Sequence, residues 1–262
     1  MTRDASIVEL ADWLQTPPGR YLLAWEQLRL DAAVADRFGF HALQLGLPEL
    51  DALRANRMPQ RWLAQDGQEQ RPAARVVLRC DFDALPFESN SLDLIVLPHA
   101  LELARDPHRT LREVERVLRP EGRVVINGFN PASLWGLRQN LGRLFGARHR
   151  LFMPRTGDFI GYWRLRDWLR LLSFEVEAAQ FGGYAPPLRS DKWLQRWSWI
   201  ERIGQRWWPV LGAVYFVVAV KRVHGMRLIG LAKRSKRAAQ AAPAVVTQVG
   251  HHTHQQQTQK HR

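Results

Sequence analysis

Residues able to hold a ligand or move a proton stand at the ends of β-prone runs in this 262-residue sequence. Gln44 and Gly46 close the run HALQLGL, Asp66 follows RWLAQ, Asp81 and Phe82 follow ARVVLRC, and Pro98 and His99 close LDLIVLP. Carboxylates and amides at such places can accept from hydroxyls and amines, and a glycine lets a ligand approach bare backbone. A histidine can exchange a proton near neutral pH. His99 is therefore the candidate for proton transfer, with Glu102 one helical turn further along as a poorer one, and an ordinary helix-start residue is the competing reading of His99. Asp81 also has a competing reading, that its carboxylate satisfies a turn amide, and Asp83 is a rival carboxylate. The single cysteine, Cys80, excludes an intramolecular disulfide and a cysteine-cluster zinc site. The histidines at 251, 252 and 254 could bind metal adventitiously, but nothing in the sequence fixes their geometry, and no metal site is expected.

The elements needed to position these residues can be read from the rhythm of the chain. Seven β-prone segments emerge: 41–47, 61–64, 74–80, 92–98, 122–128, 174–181 and 213–220. Helical or loop stretches separate them, as in a sheet with crossover helices. Runs such as LIVL and RVVI are apolar without alternation, the signature of strands covered on both faces. The expectation is an α/β, doubly wound, mostly parallel seven-stranded sheet, with the last strand free to insert antiparallel between earlier ones. Residues 1–38 read as an N-terminal helical segment broken at Pro17-Pro18-Gly19, and 39–222 as the α/β domain. Pro107 to Leu118 reads as a helix ended by Pro120-Glu121-Gly122, and Ser190 to Trp208 as a helical run. In open α/β sheets ligands lie beyond the carboxyl ends of the strands, where the candidate residues fall.

The stretch from Cys80 to Asn130 resembles the class I S-adenosylmethionine-dependent methyltransferases of the small-molecule and quinone type. The residues that carry the resemblance are Asp81, then Ala84-Leu85-Pro86-Phe87, Leu92-Asp93-Leu94-Ile95, and Leu118 to Ile126, read as LRPEGRVVI. The resemblance implies a Rossmann-like methyltransferase fold and S-adenosyl-L-methionine as cofactor. It assigns adenine to the Asp81 carboxylate and the Phe82 peptide N–H, ribose to Asp66, and the pocket near donor and acceptor to Leu97, Pro98 and His99. It departs from the family at the first strand, where Gly-x-Gly-x-Gly is expected after an acid. Here Gln44, Gly46, Pro48 and Leu50 stand instead, so one glycine remains and Gln44 can hydrogen-bond a ligand ammonium without supplying charge. Glu49 could restore a carboxylate nearby or face solvent at a helix start. The fifth run ends in the polar turn Asn127-Gly128-Phe129-Asn130-Pro131, followed by an insertion at about 131–173 that reads as an acceptor lid.

Net charge is +13, yet the first 220 residues hold 29 basic against 25 acidic groups, and the remaining nine basic residues follow from Lys221 with no acid among them. The tail 223–262 is basic and, in its Gln-, Ala- and His-rich part, too poor in large apolar groups to fold alone. Weak contact of this tail with nucleic acid or an anionic membrane is one expectation, and a solvated charge run the other. Eight of eleven tryptophans lie between Trp135 and Trp208. Trp193, Trp197, Ile200 and Trp207 recur at helical spacing beside Lys192, Arg196, Arg202 and Arg206. Core packing is one reading of that stripe; the other is a basic aromatic face meeting a membrane, a hydrophobic acceptor or nucleic acid. No run is long enough to cross a bilayer as a helix and no export signal opens the chain, so a cytoplasmic protein is expected. The functional expectation is methyl transfer to a small or lipophilic acceptor. The alternatives are a catalytically inactive methyltransferase-like scaffold and an RNA-binding or RNA-modifying protein.

Overall fold

A computed structural model describes residues 3–66, 77–144, 152–154, 159–188, 190–197 and 199–222. The basic tail and the histidines at 251, 252 and 254 lie outside the described residues. Two helices come first, α1 (Arg3–Leu14) and α2 (Pro17–Ala35), and prolines at the first positions of α2 suit a turn where no amide partner is needed. The strands are β1 (His41–Leu45), β2 (Gln60–Asp66), β3 (Leu78–Cys80), β4 (Leu92–Pro98), β5 (Leu118–Phe129), β6 (Phe174–Gly182) and β7 (Val214–Lys221). They form one seven-stranded sheet in the order β3-β2-β1-β4-β5-β7-β6. Pairs among β1 to β5 are parallel, while β7 runs antiparallel between β5 and β6. The doubly wound, mostly parallel sheet expected from the sequence is thus present, including the late antiparallel insertion.

The apolar strands are covered on both faces. On one side Leu43, Ile95, Leu97 and Val124 pack against the inner faces of α4 (Pro107–Val117) and α6 (Tyr162–Leu171). On the other, Ala42, Leu94, Val96 and Val125 meet Leu10, Leu14, Leu22, Leu30 and Val34 of α1 and α2. Each fully buried Leu or Val contributes about 1.5–3 kcal/mol relative to exposure. The helix read from the sequence at 107–118 is capped by Asp106, whose side chain accepts from His108 N at 3.0 Å and Arg109 N at 3.2 Å.

Two local departures matter for the site. First, β1 and β2 are joined by 46–59 without a helix. This crossover is a chain of turns tied under α2, where Gln27 donates to Asp51 O and Asn56 to Val34 O, both at 2.8 Å. Second, the helical run expected over Ser190 to Trp208 divides into α7 (Asp191–Arg196) and α8 (Ile200–Trp207). Trp197 and Trp199 stack with ring centroids 5.6 Å apart, a contact between residues two apart that an unbroken helix does not allow. Between these come α3 (Ala100–Leu103), directly after β4, and α5 (Leu134–Leu144), after β5.

Candidate functional site

Strand register brings the sequence-predicted residues to one edge. Asp66 pairs with Cys80, placing Asp81 just past the neighbouring strand end. Gly46 continues β1 by donating to Ala64 O at 2.8 Å, and Pro98 pairs with Asn127. From β3 to β5 the carboxyl edge therefore reads Asp81, Asp66, Gly46, Pro98-His99 and Asn127.

The adenosine-side residues divide by environment. Asp66 is buried at the end of β2. Asp81 is exposed, with Oδ1 accepting from Asp83 N at 3.1 Å, so the turn-amide reading describes one of its oxygens. Asp83, the rival carboxylate, is drawn away to accept from Thr110 Oγ1 at 2.8 Å. Phe82 is buried, and its ring lies over Gly46: a Cβ built there would sit 3.6 Å from the Phe82 ring and 3.8 Å from the Ala100 methyl. Gly46 has φ +75°, a conformation that favours glycine.

Gln44 is committed to the turn itself. Its Nε2 reaches Gly46 O, Leu47 O and Leu50 O at 3.2, 3.1 and 2.7 Å, and its Oε1 accepts from Ala52 N at 3.0 Å. Leu47 and Leu50 turn inward to pack beneath α1 and α2, while Glu49 is exposed at the tip. The glycine-poor turn is thus held by an amide clamp and two buried leucines.

Beyond β4 the chain takes a left-handed step at His99, φ 53°, whose N–H donates to Asn127 O at 3.1 Å. This step swings the imidazole into the interior, with 1% of its surface exposed, beneath the Phe129 ring at 4.4 Å. Both ring nitrogens meet buried carboxylates: Nδ1 lies 2.8 Å from Glu102 Oε2, and Nε2 lies 2.9 Å from Glu26 Oε1. Glu102 also accepts from Phe129 N through Oε1. Burial would lower the imidazole pKa, but the Glu26 and Glu102 carboxylates outweigh it and carry the group up to about 10. His99 is therefore an imidazolium donating from both nitrogens. Burial pushes the Glu102 carboxyl up, against the pull of His99. Burial and then the Glu102 charge also raise the Tyr215 phenol.

Three groups of this sheet face and its covering helix have buried polar atoms without a hydrogen-bond partner among the described residues: Glu26 Oε2 and both amide atoms of Gln65 and of Asn127. Gln65 and Asn127 lie on β2 and β5 at the level of Gly46 and Pro98, on the sheet face covered by α2. Buried polar groups are ordinarily satisfied, so these atoms along the carboxyl edge are available to a polar ligand. Glu26 and Gln65 escape the sequence motifs. A signal for Glu26 was nevertheless present, since it stands between Leu22 and Leu30 on the stripe that α2 buries. Asn130, from the polar turn after β5, is structural: its Nδ2 donates to Val210 O at 2.6 Å and Gly212 O at 2.9 Å. Among the described residues no cluster of metal-ligating side chains occurs.

Comparisons with known proteins agree with this architecture. A family model described as a methyltransferase domain matches residues 55–126. An uncharacterized Escherichia coli protein, YafS, is 30% identical over 236 residues, covering 89% of each chain. Malonyl-[acyl-carrier protein] O-methyltransferase of Laribacter hongkongensis is 31% identical over 129 residues, 46% of this chain and 43% of its own. The ubiquinone/menaquinone biosynthesis C-methyltransferase UbiE of an Enterobacter species is 28% identical over 83 residues, 32% of each. Among solved structures, a chain from the complex of the Haloferax volcanii Trm112 methyltransferase activator with a methyltransferase superposes with a TM-score of 0.54 at 21% identity. That match covers 83% of this chain and 97% of that one. A SAM-dependent methyltransferase of Thermotoga maritima gives 0.51 at 16% identity, covering 76% and 91%. At these identities the structural likeness speaks for the fold.

Proposed function

The chain belongs to the class I S-adenosylmethionine-dependent methyltransferases, and on that premise we propose that it methylates a small lipophilic acceptor at the carboxyl edge of β1, β4 and β5. The observation that carries this reading is the set of buried, unpartnered polar atoms of Gln65 and Asn127, at the level of Gly46 and Pro98 on the sheet, and of Glu26 on the helix that covers that face. Those atoms fit the polar groups of an adenosyl amino acid, which offers donors and acceptors to amides and a positive charge to a carboxylate. Bound S-adenosylmethionine supplies an electrophilic methyl group on its sulfonium.

The chain's own contribution is alignment and water exclusion, so no catalytic triad is required. In this proposal Asp66 receives the ribose hydroxyls and Asp81 the adenine amine, with the Phe82 N–H beside it. Gly46 and Pro98 form the floor, Gln44 shapes the turn from beneath, Gln65 faces the adenosine side from β2, and Asn127 faces the methyl-bearing side from β5. Glu26 Oε2 is the atom open to a proton or a cation, and His99 positions it, held in turn by Glu102. The lipophilic acceptor is supported by the aromatic lining near the edge, where Phe129 packs on Trp13, Phe159 and His99. It is supported too by the partial relatives, one of which is a quinone-biosynthesis enzyme by its description.

Calorimetric titration with S-adenosylhomocysteine tests the reading. Saturable binding that weakens by about tenfold in Asp81→Ala, the loss of one charge-assisted hydrogen bond, is the expected result. No heat at millimolar ligand would reject it in favour of the methyltransferase-like scaffold.

A further inference from the structure

Nine of the fifteen large apolar side chains exposed among the described residues lie in two short stretches, 134–141 and 193–211. Neither belongs to the adenosyl site. On α5, Leu134, Leu137 and Leu141 repeat at helical spacing and are 50%, 54% and 44% exposed, so its apolar stripe faces outward. On and beside α8, Trp199, Ile203 and Trp207 form a second outward stripe, with Trp208 following and Trp193 on α7; Trp207 is 70% exposed. The core-packing reading of Trp193 and Trp207 therefore fails, because a core would have buried them.

Topology places both stretches at the same rim. The helix α5 leaves the carboxyl end of β5, whereas α7 and α8 connect the end of β6 to the start of β7, which pairs beside Phe129. Hydrogen bonds tie each to the segment flanking the other: Trp135 Nε1 donates to Ala185 O at 2.7 Å, Arg138 donates to Pro187 O, and Asn130 reaches Val210 O and Gly212 O. The exposed charges around them are mostly basic: Arg138, Lys192, Arg196, Arg202 and Arg206. Residues 134–144 and 191–211 contain six basic and two acidic groups. Both acids are already engaged, Asp191 with Arg20, and Glu201 with the Tyr21 hydroxyl and the Tyr184 N–H. Arg196 lies 5.7 Å over the Trp193 ring, setting a guanidinium directly beside an exposed indole.

We propose that this rim, formed by α5, α7 and α8, docks the protein on an anionic phospholipid surface. Indoles belong at the boundary between hydrocarbon and water, where an apolar ring and a polar N–H are both accommodated. Arginines flanking an apolar stripe on a surface helix meet the lipid phosphates while the stripe enters the acyl boundary. The same basic surround favours a negatively charged surface over a second copy of this chain, which would set like charges against each other. Docking here turns the carboxyl edge toward the bilayer, the source of a lipophilic acceptor if the methyl-transfer reading holds; the docking itself does not depend on it.

The test is tryptophan emission of the full chain mixed with vesicles of phosphatidylglycerol, with and without brominated acyl chains, and with phosphatidylcholine vesicles for comparison. Binding to phosphatidylglycerol with quenching by bromine is expected, and phosphatidylcholine binds at least about tenfold more weakly. Trp207→Ser with Trp208→Ser, and separately Arg202→Glu with Arg206→Glu, each weaken binding by about tenfold or more. Their thermal midpoints stay unchanged, because these side chains are exposed. No tryptophan lies beyond Trp208, so attachment through the basic tail alone would leave the emission unquenched. Sedimentation with vesicles without quenching, equal binding to both lipids, or indifference to both variant pairs overturns the proposal. So does a dimer that the tryptophan variants dissociate, in the absence of quenching.

Discussion

From Leu78 to Phe129 the edge residues are delivered by strand ends and one capped helix, whereas from His41 to Asp66 they depend on a turn clamped from below by Gln44 and covered by α2. In the first region the sequence keeps a familiar local pattern, and strand ends place the residues, with His99 alone held by a carboxylate from α2. In the second the local pattern is lost, and a distant helix supplies what is missing, since Gln27 of α2 donates to Asp51 O across 24 positions of sequence. The carboxyl edge is thus assembled from one strip of familiar pattern, which carries the buried His99–Glu102 pair, and one rebuilt strip held by an amide clamp. Perturbing each strip separately shows whether they serve one ligand.

The largest effect is expected at the buried cluster. His99→Leu leaves two carboxylates facing each other in the interior and should cost about 3–5 kcal/mol in urea unfolding. The pH dependence follows from the same cluster. The folded imidazole titrates at about 10 against an ordinary value of 6.5. The folded state therefore holds the extra proton more tightly, and its stabilisation is complete below pH 6.5 and lost as pH rises toward 10. The raised Glu102 has the same sign. Stability of the parent chain should fall by several kcal/mol between about pH 6.5 and 10, and the fall should largely vanish in His99→Leu. A parent curve flat across that range would show that Glu26 and Glu102 do not charge the ring.

How far the molecule was legible differs along the same division. All seven strands and the helix from Pro107 could be read, because apolar runs are local signals, but the Pro-Glu-Gly stop was misplaced, since the helix ends at Val117 and Pro120-Glu121-Gly122 lies within β5. Asp66, Asp81 and His99 could be placed at strand ends for the same reason. What could not be read was the destination of side chains whose partners are far away in sequence: Gln44 looked available to a ligand and is spent on Leu50 O and Ala52 N. His99 looked like a lone base and is shared between two acids. The tryptophan stripe misled in the other direction, since helical spacing marks a face without saying whether that face is inward.

Gln44→Glu separates the two roles of that residue next. A carboxylate cannot donate, so Gly46, Leu47 and Leu50 carbonyls would face it without a hydrogen atom between them. A loss of about 2–3 kcal/mol is expected in chemical denaturation. If Gln44 instead met the ammonium of the cofactor, the added charge would tighten S-adenosylhomocysteine binding and spare stability. Asp81→Ala probes the other strip: exposed, with one accepted turn hydrogen bond, it should shift stability by less than about 0.5 kcal/mol. Its roughly tenfold effect is expected in affinity alone.

Gly46→Ala is the smallest change and the one that joins the strips. The added methyl meets the Phe82 ring at 3.6 Å and Ala100 at 3.8 Å, ordinary contact distances, so no collision contributes. Only the left-handed backbone at φ +75° opposes it, at about 1 kcal/mol. Leu47, the next residue, already occupies that region at φ 46°, which shows that the turn tolerates the strain when its side chain is buried. The methyl points at the Phe82 ring and the Ala100 methyl, so it reaches a ligand only by shifting that ring or the turn backbone. Affinity for S-adenosylhomocysteine should then drop by up to the tenfold that about 1.4 kcal/mol represents. An affinity loss no larger than that of a distant surface variant would mean that the turn is scaffolding, and that the ligand is held from the Asp66–Asp81 side without it.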